Sequence, residues 1–416
     1  MALGDSLRTI TLEEARALPP WRRPTALLAL MAFAMPVAFA TWSALLNNFV
    51  VEVAAFDGSD IGWLHTVREI PGFLAIGVIF LLLFIREQVL GLCALLLLGV
   101  ATALTAQFPS MGGLLIVTLL SSIGFHYYET VNQSLLLQWV EKERAPQVLG
   151  AMLGVGSGAT LLAYLLIVAT WDAYDLSYDL IYWVSGGATA LIAVLCFLLF
   201  PQFESPNPQR KEMVLRKRYW LYYAMQFMSG SRRQIFVVFV PFMMVERYAF
   251  EADDITRLLM AGFAVNMFLA PIFGRVVARV GERLALIVEY SGLALVFVGY
   301  MALYFMDLGW VFASVLYVVN QLFFGLALAI KTYFQKIASP EDIAPTAAVA
   351  FTINHIAAVF LPAALGYLWL TSPTAVFVAA SAMALISLAL SCLVPRHPMQ
   401  GHETIIARFN APQPAE

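Results

Sequence analysis

Long apolar stretches, each ended by a short polar connection, recur along this chain between residues 25 and 395. About 20 mainly apolar residues carry a helix across the hydrocarbon core of a bilayer. Twelve stretches meet that length, at 25–53, 57–84, 88–107, 111–139, 146–170, 177–200, 219–246, 255–280, 283–306, 309–336, 343–369 and 372–395. The one long polar connection, 202–218, holds Pro206, Pro208, Arg210, Lys211, Arg216, Lys217 and Arg218 and separates the spans into six and six. The pattern predicts an all-α integral membrane protein with twelve transmembrane helices. Its parts are an N-terminal arm (1–24), a six-helix set (25–201), a linker (202–218), a second six-helix set (219–395) and a C-terminal tail (396–416).

Charge placement orients the spans. With both termini in the cytoplasm, Arg247 and Arg257 fall outside and Arg68, Arg232 and Arg233 fall mid-membrane. That leaves 19 of the 24 Lys and Arg on the cytoplasmic side (24 − 5). The outer connections hold Asp57, Asp60, Asp172, Asp175, Asp179, Glu251, Asp253, Asp254 and Asp307 instead. This is the positive-inside distribution, and one missed span would scramble it. The arm carries Asp5, Arg8, Glu13, Glu14, Arg16, Arg22 and Arg23 with no apolar run, so no cleavable signal peptide is expected and the first stretch stays as a helix. A short amphipathic helix and a disordered tail both remain open for that arm. Acidic outer loops suit a bacterial inner membrane.

Composition narrows the function classes. The chain is 61% hydrophobic and only 12% charged, about half the charged share of a soluble domain. Thirty Phe, sixteen Tyr and nine Trp suit lipid contact and interfacial belts. A net charge of −3 with no long basic run gives nucleic acid nothing to bind. Cys93, Cys196 and Cys392 lie in apolar segments with no close pair, so neither a disulfide frame nor a metal site is expected. No nucleophile elbow and no zinc spacing is present, so the chain reads as neither an enzyme nor a cofactor protein.

The chemistry lies in charges placed at bilayer depth. Each costs at least a few kcal/mol there, roughly, and therefore faces a bundle interior or a watery cavity. That points to a solute transporter. On the fourth span, Ser122, His126, Glu129 and Gln133 follow spacings of four, three and four and share one helical face. Glu129 is the leading proton carrier, with His126 as its hydrogen-bond partner or a second titrating group. A permanently paired structural carboxylate is the other reading. On the seventh span, Tyr222, Gln226, Ser229 and Arg233 share a face, while Met225, Met228 and Arg232 share another. Neighbours on a helix lie about 100° apart, so the two arginines point differently. Arg233 follows the polar face toward substrate, and Arg232 is placed to meet a carboxylate of a neighbouring helix. Guanidinium forks match carboxylate, sulfonate and phosphate groups, which favours an anionic solute.

The second span carries His65, Arg68 and Glu69 on one broad face, followed by Pro71 and Gly72. Because adjacent residues diverge, Arg68 and Glu69 are each expected to pair with another helix. A gate or a packing role fits them equally. The tenth span offers Tyr317, Asn320, Gln321 and Phe324 at depth, with Lys331 nearer the interface; the eleventh adds Asn354 and His355, and the first adds Ser43, Asn47 and Asn48. Buried amides also simply bond neighbouring helices. Glu289 on the ninth span fits no cavity role.

One loop motif carries a family resemblance. After the eighth span the chain reads Gly274-Arg275-Val276-Val277-Ala278-Arg279-Val280-Gly281-Glu282-Arg283. With the six-plus-six spans, this resembles the major facilitator superfamily, over about residues 25–395. Gly274, Arg279, Gly281 and Arg283 match the family's cytoplasmic loop signature, while Ala278 replaces its acidic residue. The matching first-half loop, Phe84-Ile85-Arg86-Glu87-Gln88, has lost nearly all of it. Gly150, Gly154, Gly156 and Gly158 resemble the glycine-rich fifth helix of family exporters without its Gly-Pro pair; small residues also simply let helices pack closely. The resemblance implies two pseudo-symmetric bundles, a central cavity lined by spans 1, 4, 7 and 10, and alternating access by a monomer.

The leading function is secondary transport of a small organic anion coupled to protons. Arg233, Arg232, Arg68, Gln226, Asn320, Gln321, Tyr317, Asn354, His355 and Asn47 are the substrate candidates. Glu129, His126 and Glu69 are the proton candidates. Export of amphipathic or lipophilic compounds is the second hypothesis, since sixteen Met suit a pliable pocket. A non-transporting membrane receptor or assembly partner is the third.

Overall fold

The computed structural model describes residues 8–74, 78, 81–82, 84–140, 145–204, 215–306, 308–339 and 342–406. Part of the second predicted span and most of the linker lie outside the described residues.

Nearly all of what is described is helix. In chain order the helices are α1 (Leu12–Arg16), α2 (Pro24–Glu52), α3 (Gly58–Phe73), α4 (Glu87–Leu104), α5 (Met111–Trp139), α6 (Ala145–Tyr174) and α7 (Tyr178–Leu199). They continue with α8 (Trp220–Gln234), α9 (Val240–Tyr248), α10 (Ala252–Val280), α11 (Glu282–Phe305), α12 (Trp310–Phe324), α13 (Leu328–Ile337), α14 (Ile343–Thr371) and α15 (Pro373–Cys392). Local sequence sets several starts. Ser110, Ser177 and Ser372 each accept a backbone N–H of the first turn, satisfying one of the donors that a helix N-terminus leaves unpaired. Pro24 and Pro373 sit in first-turn positions, where a missing N–H does no harm.

Among the described residues, nine helices are long and apolar enough to cross a membrane, or ten if α10, bent by 55° between Leu269 and Ile272, counts as one span. The other two predicted spans are met by shorter helices: α3, of 16 residues, whose predicted span runs on beyond the described residues, and the α8–α9 stretch, divided into helices of 15 and 9 residues by the turn Ile235–Phe239. Arg68 and Glu69 lie on the first of these, Arg232 and Arg233 on the second.

The chain divides into two compact units. The first comprises Met1–Phe56, Val67–Arg210 and Glu251–Arg257; the second comprises Asp57–Thr66, Lys211–Phe250 and Leu258–Glu416. In the first unit α4 packs on α5 and α7, and α2 packs on α6 and α7. In the second, α11 packs on α12 and α15, and α8 packs on α14 and α15. The same pairing scheme is thus used twice.

The N-terminal arm departs from a purely helical expectation. Thr9–Ile10 (β1) pairs in parallel with Gln202–Phe203 (β2), and α1 opens with a reciprocal capping box between Thr11 and Glu14. Gln88 at the start of α4 donates to the Pro201 carbonyl and accepts the Phe203 N–H, so its buried amide closes the seam. Arg22 adds a bond to the Leu199 carbonyl. From Arg8 onward the arm is therefore a built part of the first unit.

Candidate functional site

In the first unit the mid-span charges gather around an aromatic wall. Phe39 stacks on Phe125 with centroids 4.4 Å apart, and Trp42 continues the row. The Arg68 guanidinium lies 5.7 Å from the Trp42 ring centroid, within cation–π range. Arg68 also pairs directly with Glu69, which corrects the expectation that each would reach a separate helix. An arginine side chain is long and flexible enough to curl back to its neighbour even though the two Cβ atoms diverge. Ser122 of α5 donates to the Arg68 carbonyl and ties α5 to α3 at this level.

His126 is buried one turn further along α5, edge-on to Phe125. A carboxylate oxygen of Glu69 lies within 4.8 Å of a His126 ring nitrogen. Glu69 is thus the acidic group drawn toward His126 from a neighbouring helix, a pairing that spacing along one helix does not reveal. Glu129 and Gln133, further along that face, are exposed. Asn47 is buried, and beside it Asn48 bonds Glu52, whose second oxygen accepts from the Tyr178 hydroxyl.

In the second unit the two adjacent arginines separate as their 100° offset requires. Arg232 is 1% exposed, with its guanidinium 4.4 Å from the Tyr290 centroid and a terminal nitrogen 3.9 Å from Glu289. The neighbouring-helix carboxylate is therefore Glu289, which gives that residue a partner. Arg233 is only partly buried and donates to Asn354 Oδ1 at 3.2 Å. The other end of that amide donates to the Gln226 carbonyl at 3.2 Å. Gly230 makes this crossing possible, because a Cβ there would sit 2.5 Å from the Asn354 carbonyl oxygen and 2.9 Å from its Cγ.

The polar belt continues through aromatic rings. Phe236 packs against Tyr317 at 4.9 Å, and Gln321, one turn beyond Tyr317, accepts from Asn266 at 3.4 Å. Asn266 is a site neighbour that sequence reading passed over, although a lone amide inside an apolar span marks it. Tyr317 and Asn320 are buried, and His355 is buried with Nδ1 2.9 Å from the Phe351 carbonyl oxygen of its own helix. Phe236 belongs to a π-turn, Ile235–Phe239, that interrupts the stretch between α8 and α9. Such turns insert an extra residue and occur often at functional sites.

The loop motif has a physical basis in part. Gly281 holds φ +82°, a conformation that glycine adopts without penalty, and it starts α11. Gly274 meets nothing that a Cβ would touch, and Arg279 is exposed. Ala278 offers no carboxylate; Glu282, in the same loop sequence, is buried with a carboxylate oxygen 2.6 Å from Lys336 Nζ. Elsewhere in the second unit, Asp342 accepts from Arg216 Nε, Arg218 and the Tyr219 hydroxyl at 2.8–2.9 Å. The Arg216 hydrogen bond, helped by Arg218 and Tyr219, holds the Asp342 carboxyl down at about 2. On the fifth predicted span, Gly154 and Gly158 face open space, so packing within the chain does not call for glycine there.

Comparisons with known proteins agree with this architecture. Solved structures of similar fold include a mutant of the nucleoside transporter NupG, at TM-score 0.74 and 12% identity over 89% of this chain and 99% of that one. A bacterial homolog of the human lysosomal transporter Spinster, inward-facing and occupied, matches at TM-score 0.71 and 13% identity over 94% and 98%. A bacterial metal transporter matches at TM-score 0.64 and 12% identity over 89% and 97%. Among curated proteins none matches this sequence. The family model described as Major Facilitator Superfamily matches residues 24–362, so this integral membrane protein belongs to that superfamily.

Proposed function

We propose that this chain is a secondary active transporter that moves a small organic anion by alternating access, driven by protons. The observation that carries the reading is Arg233. It is a mid-span guanidinium, only partly buried, braced by Asn354, whose amide also bonds the Gln226 carbonyl. Ionisable groups at bilayer depth are costly and mark substrate or ion pathways. Gln321 and Asn266 supply amide donors and acceptors to the same belt, suited to the polar remainder of an organic solute.

Proton coupling is assigned to Glu129, with Glu69 and His126 as the associated titrating pair. An exposed carboxylate at mid-span and a buried carboxylate–imidazole pair give a proton two stations in one unit. The remaining substrate candidates are Arg68, Asn47, Tyr317, Asn320 and His355. Arg232, enclosed by Glu289 and Tyr290, serves as an internal charge. The reading includes twelve spans in two six-helix bundles (25–201 and 219–395), cytoplasmic termini, a bacterial inner membrane and a monomer. Transporters of a nucleoside and of a metal share this fold by their names, so fold likeness selects no solute and the choice rests on the side chains.

The test is a thermal-shift panel of organic anions, cations and lipophilic compounds on purified wild type and Arg233→Ala at two pH values. Stabilisation by one anion class that disappears in the variant supports the reading. Equal stabilisation of both proteins by unrelated lipophiles replaces it with amphipathic export.

A further inference from the structure

Two charges in the second unit take no part in the function proposed above. Arg232 and Glu289 are 1% and 0% exposed in side chain, and their nearest polar atoms stand 3.9 Å apart. That separation satisfies Coulomb attraction and exceeds a hydrogen bond. Neither carboxylate oxygen of Glu289 receives a hydrogen bond among the described residues, and neither terminal nitrogen of Arg232 donates one. Only Arg232 Nε is engaged, with the Met228 carbonyl of its own helix, while the Tyr290 ring faces the guanidinium.

The helices packed against α11 bring no second carboxylate among the described residues. Tyr290 adjoins Glu289 on α11. Helix α15, packed against α11, carries no ionisable side chain except Cys392 at its far end, and α12 carries only Tyr317. On α13 the ionisable groups are Lys331 and Tyr333, and Lys336, which is already paired with Glu282.

A guanidinium braced by a ring face tolerates burial, because its charge is delocalised and weakly hydrated. A carboxylate with two unbonded oxygens in the same apolar setting has no such relief. We propose that Glu289 is a proton-binding site of the second unit, distinct from the Glu129 and Glu69–His126 stations. One proton adds to a carboxylate oxygen, the carboxylate charge disappears and Arg232 keeps its own, so the pair passes from net zero to net +1. The π-turn Ile235–Phe239 begins three residues beyond Arg232 and gives α8 a place to rearrange when the attraction is removed. On the anion reading above, an unbalanced Arg232 one residue from Arg233 makes proton and anion bind cooperatively. The proton site itself requires no anion.

Infrared difference spectra of the purified protein between mildly alkaline and mildly acidic pH test it without any substrate. The expected result is a protonated-carboxyl C=O band that appears on acidification, shifts in heavy water and is lost in Glu289→Gln. Glu289→Asp, which keeps the acid, shifts the band and retains it, and it decides the matter where Glu289→Gln does not fold. The proposal is overturned by wild type without such a band, by Glu289→Gln spectra from which no carboxyl band of wild type has been lost, or by that band at the same position in Glu and Asp. Loss of the band in Glu289→Gln alongside unchanged anion binding by Arg233 keeps the proton site and removes only the cooperativity.

Discussion

The Arg68–Glu69 pair of α3 and the Arg232–Arg233 pair of α8 both place two adjacent charges at mid-span, and the protein settles them in opposite ways. Opposite neighbours can fold together, and Arg68 turns back onto Glu69 while Trp42 covers its guanidinium. Like neighbours cannot, so Arg232 enters the second unit toward Glu289 and Arg233 turns to Asn354. Adjacent charges of unlike sign need one local solution, whereas adjacent charges of like sign need two partners on two helices. The adjacent charges of the second unit therefore depend on contacts between distant segments.

That difference sets the order of the expected effects. The largest belongs to Glu289→Ala, which leaves Arg232 buried with only the Tyr290 ring and the Met228 carbonyl beside it. Removing one partner of a buried ion pair costs about 3–5 kcal/mol, and unfolding of the detergent-solubilised protein measures it. Glu69→Ala, where Arg68 is 14% exposed and keeps Trp42, should cost clearly less. Equal losses would break the comparison.

Next comes Arg233→Ala. Its stability should hardly change, while affinity for an anionic ligand falls at least tenfold, or about 1.4 kcal/mol. Titration calorimetry with whichever anion stabilises wild type reads this, and an unchanged affinity removes Arg233 from the site. Gly230→Ala sharpens the same point, since its Cβ would press on the Asn354 backbone. A loss of about 1–3 kcal/mol is expected from forcing α8 off α14. An unaltered melting temperature would show that the crossing yields.

The smallest effect concerns the polar end of the second unit. Asp342 has a carboxyl held below its ordinary value, so its contribution is fully present above about pH 3.8 and is lost as pH falls through about 2. Asp342→Asn should lower stability at neutral pH and flatten that acid limb. Thermal unfolding against pH checks it; a limb identical to wild type would assign acid sensitivity elsewhere.

Much of the frame was legible because a bilayer imposes a length on every apolar stretch. Most predicted span edges fall within a few residues of a helix, and the offset between Arg232 and Arg233 followed from helical pitch alone. Partnerships between helices were a different matter. Periodicity puts His126 and Glu129 on one face, yet it carries no information about which residue of α3 stands opposite, and Glu69 came as a structural fact. The role of Glu289 was hidden for the same reason. The pairing of Thr9–Ile10 with Gln202–Phe203 was illegible because two residues make too short a strand for alternation to show.

That small parallel pairing also bears on how the protein is made. Its first strand leaves the ribosome before α2, and its second follows only when α7 has been synthesised. Until then Thr9 and Ile10 have nothing to pair with, and the Gln88 amide lacks both its backbone partners. The seam can therefore close only after every helix from α2 to α7 exists. Its closure, followed by cross-linking or by protection from protease, would report in a translating cell when the helices from α2 to α7 are all in place.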